Sequence, residues 1–341
     1  MPHLPEVKRF VSNTGVVIYR IPCEVMPEFS ARVYLLLGAG PPTLVDAGSG
    51  FGQSTQQILA GLQAVRSDFG EPVGLRDVRR ILITHGHVDH FGGLPELCQK
   101  TGAAVAIHEL DSRVLTAHRE RSAVGRRKVR RFLHQAGIEP ADREKLLGAY
   151  GSISPPMPEI PVEFTLADGA ELDGLRILHT PGHSPGHVCI AAGDVLLSGD
   201  HILSHKSTQQ WPESIHAYTG IGHYLDSLEK VRRLDGIGLV LGGHEAPLED
   251  LHARIDEIRR TQLGRIDRVL QILRREGPMT VSQVARRLYS RAVGFHVMLA
   301  LQDTGARVEY LHQRGRVAIA NLDEVEGEES PVFQYRPAQA V

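Results

Sequence analysis

The chain has 341 residues, 42% of them hydrophobic, enough to bury a large core and, by length, to suggest two domains. A formal net charge of −2 selects no class of partner, and no apolar run approaches the ~20 residues of a membrane span. Cys23, Cys98 and Cys189 stand alone in apolar contexts, so they read as buried small hydrophobes rather than a disulfide framework. The opening Met1, Pro2, His3, Leu4, Pro5, Glu6 has no basic-then-apolar leader, and the expected location is the cytoplasm.

Apolar runs at 16–21, 33–37 and 43–45 predict three strands, the last ending in Leu44, Val45, Asp46, Ala47, Gly48. Between the second and third, Leu37, Gly38, Ala39 and Gly40 hint at a dinucleotide loop. Pro41 and Pro42 follow, and Thr43 stands where that fingerprint needs its third glycine, so a strand-turn-strand hairpin is expected. The next run, 80–83, empties into Thr84, His85, Gly86, His87, Val88, Asp89, His90. Shuffling this composition would give that pattern of histidines and aspartate in roughly two or three chains per thousand, which makes a metal site the preferred reading over a surface His cluster. In extended backbone His85 and His87 project the same way and can reach one ion. Asp89 and His90, where the chain turns toward a helix expected from Gly93 to Lys100, must point elsewhere, toward a second ion.

After a strand at 103–107, Asp111 to about Gly151 is helical in pattern, with Arg119, Arg121, Arg126, Arg127, Lys128, Arg130 and Arg131 crowded together. This segment is either a solvated basic face or a lid whose Arg126, Arg127 and Arg130 attract an anionic substrate portion, such as a nucleotide-bearing thiol carrier or a phosphodiester. Strands at 175–178 and 188–191 flank His179, Thr180, Pro181, Gly182, His183, Ser184, Pro185, Gly186, His187, where two prolines and two glycines force an irregular loop. Strands at 195–197 and 238–241 lead through glycine to Asp200 and His244. A carboxylate such as Asp200 can bridge two cations. His201 and His205 follow closely enough to line the same pocket, with His205 as a candidate substrate contact. Ser227, Leu228, Glu229, Lys230 and the separate Lys100, Thr101, Gly102 superficially match serine penicillin-recognising motifs, but in reversed order, so they read as helix-surface coincidences.

Asp46, the 84–90 cluster, His183, Asp200 and His244, in this order, resemble the metallo-β-lactamase superfamily over roughly residues 10–250, near its glyoxalase II-like and lactamase-like groups. The resemblance implies that His85, His87 and His183 hold one metal, that Asp89, His90 and His244 hold the other, and that Asp200 bridges them. It places Asp46 behind the ligands. Of the two histidines in the 179–187 loop it makes His183, which is followed by Ser184, the ligand, and leaves His187 as a supporting group. It also implies an αββα sandwich, in accord with hairpin strands that give way to strands alternating with helices.

From about 252 a long helix, a short helix capped by Thr280, a further helix broken at Gly315 and a strand-like end at 316–320 resemble the winged-helix appendage of some of these hydrolases, a lactamase-like endoribonuclease included. The expected domains are therefore 1–251, with 111–151 as a helical insertion, 252–322 as a winged-helix-like domain, and a loose tail over 323–341. A winged helix suggests nucleic acid, but such modules also dimerise a chain or wall a pocket.

The expected function is a dinuclear zinc hydrolase, with iron and manganese as alternative metals. A hydroxide between the metals, oriented by Asp89, would attack an acyl carbonyl, first of a glutathione or coenzyme A thioester and next of a lactone. The rivals are an endoribonuclease using the same metals on RNA, with the appended domain and basic helices in its favour, and a metal-bound regulatory module without turnover, which the complete ligand set disfavours. Persulfide oxidation at a single iron would leave His90 and His244 without a role.

Overall fold

The computed structural model describes residues 6–26, 29–152 and 157–339. Residues 1–5, on which the leader expectation rests, lie outside them. The chain divides into two compact units, one from the described residues of Met1–His118, Met157–Thr208 and Ser227–Ile255, the other from those of Arg119–Pro156, Gln209–Asp226 and Asp256–Val341.

The first unit holds two mixed sheets. In one, β1 (Lys8–Val11), β2 (Val17–Met26), β3 (Phe29–Leu37) and β4 (Thr43–Val45) form an antiparallel meander that β5 (Arg80–Leu82), β6 (Ala104–Ile107) and β7 (Phe164–Thr165) extend in parallel. In the other, β8 (Glu171–Leu172), β9 (Leu175–His179), β10 (Val188–Ala192) and β11 (Val195–Gly199) are antiparallel, and β12 (Leu239–Gly242) runs parallel to β11. The hairpin expected at 37–43 is the β3–β4 connection.

Alternation of side chains decides what each sheet face covers. Ile18, Leu36, Val45, Leu82 and Ala106 point one way and share a core with Ile177, Ile190, Leu197 and Leu241 of the second sheet. Their neighbours Tyr19, Leu35, Leu44, Ile81 and Val105 point the other way. That outer face is covered by Ile58, Leu62 and Val65 of α1 (Ser54–Ser67) and, beyond the short α2 (Val88–Phe91), by Leu94 and Leu97 of α3 (Leu94–Thr101). A one-residue slip in any of these strands would exchange the two sets, and each such aliphatic is worth roughly 1.5–3 kcal/mol in burial, so the register is firmly specified. The helix expected from Gly93 is α3, but helical backbone already begins at Val88, inside the histidine cluster.

α4 (Glu109–Thr116) closes the first segment of this unit, and α5 (His118–Gln135) and α6 (Pro140–Ser152) follow. α7 (Ile221–Arg232) and α8 (Leu251–Glu276) each have residues in both units. α9 (Val281–Leu288), α10 (Phe295–Gln313), β13 (Val317–Ile319), α11 (Leu322–Gly327) and β14 (Tyr335–Pro337) complete the chain. The sequence separates the 111–151 insertion from the segment after 252, whereas the structure bonds the two within the second unit. The Ser282 amide donates to Ala136 O at 2.9 Å and the Phe333 amide to Gln135 O at 3.0 Å.

The expectation of a loose tail is overturned. β14 pairs antiparallel with β13, Ile319 facing Tyr335, and Tyr335 exchanges backbone hydrogen bonds of 2.8 and 3.0 Å with Met279. Composition hides this because the pairing satisfies main-chain groups of a distant short strand, which periodicity does not report. Among the described residues no helix is long and apolar enough to cross a membrane.

Candidate metal centre

The strand ends of both sheets in the first unit deliver the histidines and aspartates to one place. β5 leads into His85 and His87, α2 carries Asp89 and His90, the β9–β10 loop supplies His183, and Asp200 and His244 follow β11 and β12. His85 Nε2 lies 3.1 Å from His87 Nδ1, and the two rings stand 4.9 and 4.4 Å, respectively, from that of His183. His244 Nε2 is 3.4 Å from Asp89 Oδ2, and His90 Nε2 is 3.8 Å from the same oxygen. Asp200 joins the two sets, its Oδ2 being 3.7 Å from His183 Nε2 and 3.3 Å from His244 Nε2, its Oδ1 3.5 Å from His90 Nε2. His85, His87 and His183 could hold one ion, and Asp89, His90 and His244 another.

The outer nitrogens of these rings are already engaged. His90 Nδ1 donates to Asp46 Oδ2 at 2.7 Å, and His244 Nδ1 donates to Ser30 O at 2.8 Å. His85 Nδ1 is 3.1 Å from Thr84 Oγ1. Each therefore turns Nε2 inward, as metal-bound histidines with fixed tautomers do. Phe29 stacks on the His244 ring at 4.5 Å. Asp46 is buried behind the cluster in the left-handed conformation, φ 62°, which Asp tolerates better than most residues. Its Oδ1 accepts from the Thr84 amide at 2.8 Å and its Oδ2 from the Thr84 hydroxyl at 3.0 Å.

The donor set fits metal ions. Buried polar atoms normally have partners, yet His90 Nε2 and Asp200 Oδ1 are buried without a hydrogen bond. Burial and the neighbouring imidazoles hold His85 far below its ordinary pKa and bring His87 down to about 3, so both rings are neutral donors at pH 7. Burial opposes charge on His90 and His244 as well. There the Asp200 carboxylate, with Asp46 and Asp89 at His90, outweighs it, raising His90 well above its usual range and His244 to about 10. Despite its burial, Asp89 is lowered to about 2 by His90 and His244. Protons on His90 and His244 thus balance carboxylates in positions where a cation would do so.

His187 is buried but turned away from the triads. Its Nδ1 is 2.8 Å from Thr180 Oγ1, and its Nε2 accepts from the Asp200 amide at 3.1 Å. His201 is buried, its ring 5.8 Å from that of His187. His205 is exposed, with its amide donating to Glu245 Oε2 at 2.7 Å, and its ring is not part of the cluster. Arg126, Arg127 and Arg130 occupy exposed positions on α5 in the second unit, where Arg130 pairs with Glu144 at 3.1 Å. Thr84 and Thr180 are supporting residues of the centre that sequence alone does not single out. Their signal is a hydroxyl at the end of a strand that empties into histidines.

A profile of the metallo-beta-lactamase superfamily matches residues 26–271. A probable metallo-hydrolase of Bacillus subtilis (strain 168), YqjP, is 25% identical over 290 residues, 82% of this chain and 86% of its own length. An atrochrysone carboxyl ACP thioesterase of Aspergillus fumigatus is 23% identical over 259 residues, 75% of this chain and 64% of its own. Among solved structures, a metallo-beta-lactamase family protein of Thermus thermophilus superposes with a TM-score of 0.69 at 27% identity, covering 94% of this chain and 98% of that one. With the profile spanning most of its length and the fold shared, this chain belongs to the metallo-beta-lactamase superfamily.

Proposed function

We propose that the protein is a dinuclear metal-dependent hydrolase of acyl substrates, with thioesters of the glutathione or coenzyme A type first and lactones next. The observation that carries this reading is the position of Asp200, whose carboxylate lies within 3.7 Å of His183 Nε2 and 3.3 Å of His244 Nε2 and so joins two three-residue ligand sets. His85, His87 and His183 would hold one ion, Asp89, His90 and His244 the other, and Asp200 both. Imidazole-rich ligation favours zinc over iron or manganese. Bound there, such ions supply Lewis acidity and a water acidified toward neutral pH.

The chain supplies the remainder. Asp46 and Ser30 fix the His90 and His244 rings by accepting their Nδ1 protons. Asp89, held ionised by its low pKa, offers a carboxylate edge that can orient a water. No side-chain nucleophile is called for, and the thiols are unsuited to the role, since burial pushes Cys23 and Cys98 up to about 11 and Cys189 to about 12. The thioesterase named among the relatives supports the thioester class.

A second reading, an endoribonuclease, is favoured by the exposed Arg126, Arg127, Lys128, Arg130 and Arg131 of α5 and by C-terminal helices followed by the two-stranded β13–β14 sheet, an element order that suits a winged helix. A homodimer is a third use for that segment. Purified protein assayed on thioesters, lactones and RNA, with metal content measured on the same sample, tests the choice. Acyl turnover that vanishes in Asp200→Ala is expected. Metal-dependent RNA cleavage with no acyl turnover would replace the first reading with the second.

A further inference from the structure

α4 begins one residue after His108, and its buried Asp111 faces two ligand-bearing loops that are about a hundred residues apart in sequence. Asp111 Oδ2 accepts from the Gly86 amide at 2.9 Å, between His85 and His87. The same oxygen accepts from Ser184 Oγ at 2.7 Å, beside His183. Both loops approach so closely that only glycine fits. A Cβ on Gly86 would lie 2.8 Å from Val114 Cγ2 and 3.2 Å from Asp111 Cγ, and one on Gly186 only 2.7 Å from the Asp111 amide nitrogen. Helix α4 is thus a fixed surface against which both loops are set, and a single carboxylate oxygen binds them together.

We infer that Asp111 is a positioning residue for the first metal site: by accepting from Gly86 and Ser184 at once, it sets the spacing of His85 and His87 relative to His183. This rests on the proposal that those three residues are ligands. The role belongs to the acceptor oxygen rather than to its charge. An Asn carbonyl oxygen, with two lone pairs, can accept both bonds in the same place, whereas Ala leaves a half-buried amide and a buried hydroxyl without this acceptor.

Metal affinity, not turnover, is the direct readout. The metal-free protein and its Asp111→Ala, Asp111→Asn and Ser184→Ala variants would be titrated with Co²⁺, following the visible absorption bands and competing each with a chelator. Asp111→Ala is expected to weaken one of two binding events by ~10–100-fold and to alter its spectrum. Asp111→Asn should bind as the parent does, and Ser184→Ala, which removes one of the two bonds and leaves the carboxylate in place, should fall between. Parent-like affinity and spectrum in both Asp111→Ala and Ser184→Ala would overturn the inference, as would an Asn variant as weak as the Ala variant. If Asp111→Ala does not fold, the other two variants decide it: parent-like Asp111→Asn with weakened Ser184→Ala supports the inference, and a parent-like Ser184→Ala or a weakened Asp111→Asn overturns it. A parent protein that takes up no Co²⁺ would instead overturn the underlying ligand assignment, a separate and distinguishable result.

Discussion

His187 accepts a hydrogen bond on Nε2 from the backbone amide of Asp200 at 3.1 Å, so the ring holds the carboxylate's backbone and does not face the triads. With Nε2 an acceptor, the proton sits on Nδ1, toward Thr180 Oγ1 at 2.8 Å. Burial and the His201 and His183 rings keep His187 neutral, its pKa far below the ordinary value.

His187→Ala and His183→Ala should therefore differ in kind. Loss of a supporting ring costs typically ~10–100-fold in metal affinity or activity, so His187→Ala should still bind two ions when metal is in excess. His183→Ala should lose one of them. Equilibrium dialysis with elemental analysis separates the cases, and equal metal loss in both would show that His187 is itself a ligand.

Gly243 is held to glycine by the cluster. A Cβ there would lie 2.5 Å from Asp200 Oδ1 and 2.6 Å from His90 Cε1, both fixed by burial. Gly243→Ala should destabilise the fold by ~1–3 kcal/mol, the usual cost of overpacking, and displace the two ligands. Gly264, within α8, has nothing within 4 Å of its Cβ position. Gly264→Ala should instead stabilise by up to ~1 kcal/mol through helix propensity. Urea unfolding of both variants tests the contrast.

His108 stacks on His179, with ring centroids 3.9 Å apart and planes within 11°. Burial, then the His179 charge, lowers its pKa to about 4. An unfolded His titrates near about 6.5, so the unfolded chain takes up this proton first as the pH falls. The contribution of His108 to stability is full above pH ~6.5 and is lost between there and about 4. An NMR titration should show the His108 ring still neutral at pH 5.5, and a midpoint near 6.5 would contradict the prediction.

Replacing Arg126, Arg127, Lys128, Arg130 and Arg131 by Gln should leave the fold intact, since all five are exposed. For a thioesterase, KM for a coenzyme A thioester should rise while hydrolysis of a small uncharged thioester persists. For a nuclease, RNA affinity should collapse and its steep salt dependence should flatten. Initial rates and RNA binding at two salt concentrations distinguish these outcomes.

The sequence revealed the elements that depend on local pattern. Strand alternation exposed both sheets because each residue's face is set by its parity, and glycine-bounded strand ends exposed His85, His87, Asp200 and His244. Relationships between distant segments were not legible. Thr84 and Thr180 act through contacts made only once β5 and the β9–β10 loop are in place. Asp111 looks like any acidic residue in the first turn of a helix until α4 meets two loops. Helix α2 is not legible in the sequence because four residues carry no helical period. Nor is β14, whose partners, β13 and Met279, are set by tertiary pairing rather than by hydropathy. His205 was placed near the cluster by sequence distance alone, whereas its chain turns outward to Glu245.

Two metal ions joined by Asp200 are tested best by the metal content of protein purified without added chelator, for the parent, His90→Ala and Asp200→Ala. Close to two transition-metal ions per chain are expected in the parent, about one in His90→Ala, and weakened retention of both in Asp200→Ala. A reproducible single ion in the parent, unchanged by His90→Ala, would contradict this.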